Sequence, residues 1–110
     1  MHEMRLEEVY YNLIKERTKI FEIRLNDEKR QELKVGNKIL LKKRPDCKET
    51  MIVEVEDLIY FKSFEDMLKN ISLKEIGLSN LTEKETVDLY HSFYSVEDEQ
   101  KYGVVAIKIK

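Results

Sequence analysis

The residues of this sequence best suited to chemistry lie in one short segment. Its β-branched and aromatic composition, followed by a polar turn, predicts a strand over residues 19–25. Alternate residues of a strand share a face, so Glu22 and Arg24 become neighbours about 6–7 Å apart. A carboxylate beside a guanidinium orients the planar arginine fork toward a phosphate or a base edge. Lys19 has the opposite parity and joins the pair only if the strand starts, twists or bulges there.

Further basic and aromatic residues are candidates for binding a polyanion. The cations expected to form one positive rim are Lys15, Arg17, Lys19, Arg24, Lys42, Lys43 and Arg44. The candidate stacking faces for unpaired bases are Tyr90, Tyr94 and Tyr102. Structural alternatives stay open: a salt bridge for Glu22–Arg24, a solvated strand end for residues 42–44, and helix packing for Tyr90 and Tyr94. His2 either lines the same cleft or belongs to a frayed terminus.

The sequence contains little evidence for other kinds of functional site. His2 and His91 are the only histidines and Cys47 is the only cysteine, and no motif suggests a nucleophilic triad. No metal-ligand spacing and no glycine-rich phosphate loop is present, so we predict neither a metal site nor a cofactor.

Composition and charge favour one compact domain over residues 1–110. The chain is 42% hydrophobic and 38% charged, with three Gly and one Pro. The net charge of −2 combines a basic first half, 13 Lys/Arg against 10 Asp/Glu in residues 1–50, with an acidic second half. A uniformly basic nucleic-acid binder is excluded, whereas a local basic face is not. Without a signal-peptide pattern or a long apolar run, we expect a cytoplasmic protein with no membrane partner.

Periodicity and capping residues predict an α+β fold. Strands are expected at 19–25, 38–43, 50–61 and 103–109, with a bulge near Asp57 in the long one. Ser/Thr residues followed three positions later by Glu or Asp mark helix starts. The helices expected are 6–16, 64–70, 73–77 and 83–93, with a turn at 96–100. This order does not alternate regularly, so we expect a mostly antiparallel, barrel-like sheet with peripheral helices.

The order of these motifs resembles the ASCH family of the PUA-like superfamily. Lys19, Glu22 and Arg24 match its strand motif, and the turn Val35-Gly36-Asn37 and the closing run 101–107 follow in family order. Ile20 departs from the family's Thr and Asn37 from its Asp. The resemblance covers almost the whole chain. It implies a PUA-like β-barrel of five or six strands and a cleft lined by the strand's Lys, Glu and Arg.

The resemblance also implies a role in RNA binding or RNA processing. One branch of the family hydrolyses the amide of acetylated cytidine with a Lys, a Thr and a Glu. Here Lys19 matches the Lys, but Glu22 stands at the Thr position, and no Glu is found in residues 77–81. We therefore predict a module that binds RNA or a nucleotide-like ligand. The alternatives are an amidohydrolase using Lys19 and Glu22 as catalytic residues, and a protein-interaction domain without a ligand.

Overall fold

The computed structural model describes all residues 1–110 as an α+β fold with five strands and four α-helices. Along the chain the elements are β1 His2–Leu6, α1 Glu8–Lys15, β2 Phe21–Leu25, β3 Lys38–Lys43, β4 Thr50–Phe61, α2 Phe64–Leu68, α3 Glu83–Phe93, α4 Val96–Tyr102 and β5 Val104–Ile109. A short 3-10 turn, Arg30–Glu32, follows β2. No helix is long and apolar enough to cross a membrane.

The five strands form one mixed, strongly curled sheet in the order β1-β3-β4-β5-β2. Three of its four pairings are antiparallel, and β1 runs parallel to β3. The expected α+β class and barrel-like curvature are confirmed, but the sheet is a half-barrel and not a closed barrel. Strands β1 and β2 remain its two edges because no backbone pairing joins them. The curl brings these edges close enough for side chains to bridge them.

The expectation of a helix from residue 6 was wrong at its start. Residues His2–Leu6 are a strand, in which Met4 and Leu6 are each 4% exposed. Leu6 fits a helical spacing as well as a strand alternation, and five residues are too few to separate the two periods. The helix that follows buries Tyr11 and Ile14, whereas Val9 is 57% exposed.

The remaining elements agree more closely with the sequence patterns. Helix α3 starts at the predicted capping box, in which Thr82 and Glu85 bond to each other's backbone N–H groups. The register shift between Val55 and Asp57 confirms the bulge in β4. Two expectations were wrong: residues 73–77 form turns, and residues 96–102 form a full helix capped by Ser95 in place of a short turn.

The core consists of two apolar clusters that meet at β5. Val104 and Ala106 belong to the cluster that α2 and α3 cover, whereas Val105 and Ile107 belong to the cluster that contains α1. All four side chains are fully buried. A strand buried on both faces reads as a continuous apolar run. Burial on both faces therefore explains the apolar sequence of β5, which pairs with β4 on one side and with edge strand β2 on the other.

Candidate functional site

The candidate site lies where edge strand β2 faces edge strand β1. In the register with β5, Glu22 is opposite Ile107 and Arg24 is opposite Val105. Directly opposed residues point to the same face of a sheet. Glu22 and Arg24 therefore project away from the cluster that α3 covers and toward the gap between the two edges. Arg24 bridges this gap, because a terminal guanidinium nitrogen donates to the Arg5 carbonyl of β1 over 3.3 Å.

Lys19, Glu22 and Arg24 form a buried group of charged side chains at this position, which we call the ion cluster. Lys19 Nζ lies 3.3 Å from Glu22 Oε1, and Arg24 Nε donates to Glu22 Oε2 over 2.7 Å. Lys19 Nζ also donates to the Ile76 carbonyl over 2.9 Å. Lys19 is 5% exposed and Glu22 is 7% exposed. One carboxylate is thus shared by two cations.

Lys19 reaches Glu22 because it precedes the strand. The end of α1 turns through Arg17 in a left-handed conformation (φ 66°), and the Lys19 N–H then bonds to the Leu13 carbonyl. The N–H groups of Ile20 and Phe21 both bond to the Glu75 carbonyl. These contacts hold the segment before Phe21 out of the regular strand. Strand parity therefore does not apply to Lys19, and the side chain turns toward Glu22.

A glycine in the loop after α2 makes room for the lysine. Gly77 has a φ of +79°, and a Cβ at this position would lie 3.0 Å from Lys19 Cδ and 3.2 Å from Leu13 Cδ1. The loop carbonyl that accepts from Lys19 Nζ belongs to the preceding residue, Ile76. The close approach of the loop backbone and the buried lysine therefore depends on the absence of a side chain at residue 77.

The electrostatics of the ion cluster favour a charged Glu22. Burial alone would raise the pKa of the Glu22 carboxyl, but the nearby Lys19 and Arg24 outweigh it and lower that pKa. Burial lowers the pKa of Lys19, against the attraction of Glu22. Two cations share one anion, so the ion cluster has a surplus positive charge. Repulsion from Arg24 lowers the pKa of Lys19 further. The cluster is thus suited to an anionic or electron-rich ligand group.

Above the ion cluster is a half-open pocket of about 220 Å³. Its wall is largely apolar and aromatic, and we call it the aromatic pocket. The aromatic side chains that line it are Tyr10, Tyr90, Phe93 and Tyr94. Tyr90 is buried and stacks on Phe64 with ring centroids 4.5 Å apart, whereas Phe93 is 69% exposed. Tyr90 therefore has a packing role as well as a place in the wall, while Phe93 offers a free ring face.

The structure brings together only some of the predicted site residues. Those that line the aromatic pocket are Lys19, Glu22, Arg24, Arg44, Tyr90 and Tyr94. Lys15 and Lys43 do not line it, because both form ion pairs with Glu49 at 3.0 and 3.1 Å. The seven predicted cations therefore do not line one recess. Their roles in ligand binding stay predictions.

The other predicted residues lie elsewhere. Arg17 lies with Lys15 beside a different depression. Lys42 pairs with Glu3, and the Tyr102 hydroxyl donates to Glu28 over 3.0 Å. His2 is part of β1 and does not line the aromatic pocket. No group of three or more His, Cys, Asp or Glu side chains is arranged to hold a metal ion.

The remaining charged and aromatic residues of the aromatic pocket were not predicted; they are Arg5, Glu7, Tyr10 and Phe93. Arg5 belongs to β1, a strand that the sequence patterns do not predict, and Tyr10 lies in α1. Phe93, the last residue of α3, directly precedes the predicted candidate Tyr94. Helical spacing alone does not distinguish this exposed ring from a core residue.

The chain is thus a small α+β domain, a mixed half-barrel with a buried ion cluster at its seam. The chain belongs to the ASCH domain family, whose model matches residues 4–110. It is similar to the crystal structure of hypothetical protein PH0355, with 38% identity, a TM-score of 0.87 and coverage of 98% of this chain and 95% of that one. It is also similar to the solution structure of protein PF0455 from Pyrococcus furiosus, with 37% identity, a TM-score of 0.78 and coverage of 99% and 94%. No curated protein matches the chain significantly.

Proposed function

We propose that this domain binds single-stranded RNA and holds one unpaired base in the aromatic pocket. The observation that carries the proposal is the combination of an aromatic wall with a positively charged floor. A base presents a π-face for stacking, and its edge carries carbonyl and ring-nitrogen acceptors. Arg24 and Lys19 supply donors to such acceptors, and Glu22 fixes the orientation of both. Membership of the ASCH domain family is consistent with an RNA-binding domain.

The size of the pocket restricts the ligand. Pockets that enclose drug-sized ligands have volumes of about 300–1,000 Å³, whereas the aromatic pocket has about 220 Å³. One base fits this volume better than a stack of bases. A paired base is not free to enter, because its edge is engaged and its faces are covered by neighbours. Unpaired or looped RNA is therefore the preferred form.

The proposal is tested by binding of a short fluorescent single-stranded RNA, measured by anisotropy. Phe93→Ala removes an exposed ring from the pocket, and Tyr60→Ala removes an exposed ring on β4 that lies outside it. We expect Phe93→Ala to weaken binding by roughly 1–3 kcal/mol, the usual value of one stacked base. Tyr60→Ala should bind like the wild type. Equal affinities of the two variants, or no binding by the wild type, would reject the proposal.

A second candidate function is amide hydrolysis on an acylated cytidine or a related modified nucleoside. Lys19 favours it, because burial lowers the pKa of this lysine and Glu22 Oε1 lies 3.3 Å from its amine. A lysine with a lowered pKa is a candidate nucleophile or base. The assay is release of cytidine from N4-acetylcytidine, followed by chromatography. Turnover that Lys19→Met abolishes, together with absent RNA binding, would favour the enzyme.

A further inference from the structure

A second recess beside the aromatic pocket carries an unusual excess of positive charge. We call it the basic recess. It has a volume of about 380 Å³, and its basic lining residues are Arg5, Arg24, Lys29, Arg30, Lys42 and Arg44. Glu3 is its only acidic lining residue. The chain as a whole has a net charge of −2, so this concentration of cations is a local feature.

Ion pairing leaves much of this charge without a partner. Arg24 pairs with Glu22 and Lys42 pairs with Glu3, while Arg44 Nε lies 3.8 Å from Glu7 Oε1. The three remaining cations, Arg5, Lys29 and Arg30, form no salt bridge. Clustered cations repel one another unless an anion lies between them. The recess thus has the charge of a site prepared for an anionic ligand.

Arg30 adds an observation of a different kind. Its Nε atom is buried and has no hydrogen-bond partner. The nearby Asp27 carboxylate accepts from the Arg30 backbone N–H over 3.1 Å, not from the guanidinium. Burial, followed by the neighbouring Arg24, lowers the pKa of Arg30. A buried donor without a partner destabilises the fold, and a small side-chain shift that brings Nε to a bound acceptor would remove this cost.

The two recesses are adjacent. Arg5, Arg24 and Arg44 line both the aromatic pocket and the basic recess. A ligand that places an aromatic group in the first is therefore able to place a neighbouring group in the second. In a nucleotide the neighbouring anionic group is a phosphate, and arginine forks bind its oxygens in pairs.

We infer that the basic recess binds a phosphate adjacent to the base held in the aromatic pocket. Arg5, Lys29 and Arg30 supply the contacts, because these cations do not belong to the ion cluster and form no salt bridge. The inference rests on the proposed function, and it specifies a nucleotide, not a free nucleoside, as the bound unit. The phosphate of an RNA backbone and free phosphate share this chemistry.

The first experiment uses inorganic phosphate as the probe, so it does not depend on RNA binding. Phosphate is titrated into the ¹⁵N-labelled protein, and backbone and arginine Nε signals are followed by NMR. We expect saturable shifts at Arg5, Lys29 and Arg30, lost in Lys29→Gln/Arg30→Gln. The control variant Lys69→Gln/Lys84→Gln removes two exposed lysines outside the recess. Shifts that do not saturate, or that are as large at Lys69 and Lys84, would overturn the inference.

The second experiment measures the salt dependence of RNA binding. Each phosphate contact contributes about −0.7 to the slope of log K against log salt for a single strand. We expect Lys29→Gln/Arg30→Gln to reduce the magnitude of the slope by about 0.7 to 1.4, and the control to leave it unchanged. Binding with an unaltered slope in the recess variant would overturn the inference while the proposed function stands. Saturable phosphate binding without RNA binding would support the anion site and reject the proposed function.

Discussion

At the scale of single residues, Glu22 determines whether the ion cluster is stable. Removing a charge from water costs several kcal/mol, and only close partners offset this cost. Glu22 accepts from Arg24 on one oxygen and contacts Lys19 with the other. Without the carboxylate, two nearly buried cations would face each other across the seam. The cluster is therefore better understood as a device that positions donors than as a source of stability.

Replacing Glu22 by glutamine is expected to destabilise the fold strongly at neutral pH. The variant Glu22→Gln leaves Lys19 and Arg24 without a counter-charge, and breaking a buried ion pair costs roughly 3–5 kcal/mol. Chemical denaturation at pH 7 measures the loss. Glu16→Gln, which changes an exposed carboxylate without an ion pair, is the control and should lie within about 0.5 kcal/mol of the wild type.

Comparison of the wild type with Glu22→Gln also gives a prediction about pH. The folded-state pKa of Glu22 lies below its ordinary value of 4.5, so its contribution to stability is complete above about pH 4.5 and is lost as the pH falls through the folded-state pKa. The difference in the free energy of unfolding between wild type and Glu22→Gln should therefore shrink in acid. A difference that stays constant from pH 7 to the acid limit of folding would contradict an ionised Glu22.

At the scale of elements, local patterns predicted those parts of the fold that local interactions determine. Helix α3 was predicted from its capping box, and the bulge of β4 from an interrupted alternation. Strand β1 was missed because a five-residue segment has too few positions to define a period. The open seam depends on the curl of the whole sheet, which no local pattern encodes.

Local sequence patterns predicted the site only in part. The proximity of Glu22 and Arg24 followed from strand alternation. The contact of Lys19 with Glu22 did not, because it requires the carbonyl of Glu75, far along the chain, to hold the N–H groups of Ile20 and Phe21. Such long-range contacts decide where a strand begins, and they are not visible in a short window of sequence.

The loop that carries Gly77 is expected to control the position of Lys19. Gly77→Ala places a non-glycine residue at a φ of +79° and a Cβ 3.0 Å from Lys19 Cδ. Gly36 is a matched control, because its φ is +91° but nothing lies within 4 Å of the corresponding Cβ. Both variants should lose about 1–2 kcal/mol from backbone strain, measured by chemical denaturation. Only Gly77→Ala should also weaken RNA binding in the anisotropy assay.

Two outcomes separate the explanations for Gly77. If Gly36→Ala weakens RNA binding as much as Gly77→Ala, the effect arises from general loss of stability and not from Lys19. If both bind normally, the loop tolerates the new side chain and the close approach has no role in the site.

At the scale of the whole molecule, the proposed RNA binding depends on an uneven distribution of charge. The net charge of −2 opposes binding to a polyanion at long range, while the basic recess and the ion cluster concentrate cations at the seam. The Debye length is about 8 Å at physiological salt, so distant acidic residues are largely screened from a strand bound there. Under the proposed function, we therefore expect binding to be local and to involve few phosphates.

This geometry predicts a shallow salt slope and a strong preference for single strands. One to four phosphate contacts give a slope of roughly −0.7 to −2.8 in log K against log salt. A duplex of the same sequence should bind at least about tenfold more weakly, because extracting a base from its stack costs a few kcal/mol. Lys110→Glu, which alters an exposed lysine outside both recesses, is the control and should leave the slope unchanged. Only an unpaired base is free to enter a pocket of about 220 Å³ at the seam. Equal affinity for duplex and single strand would therefore mean that RNA contacts the surface without inserting a base.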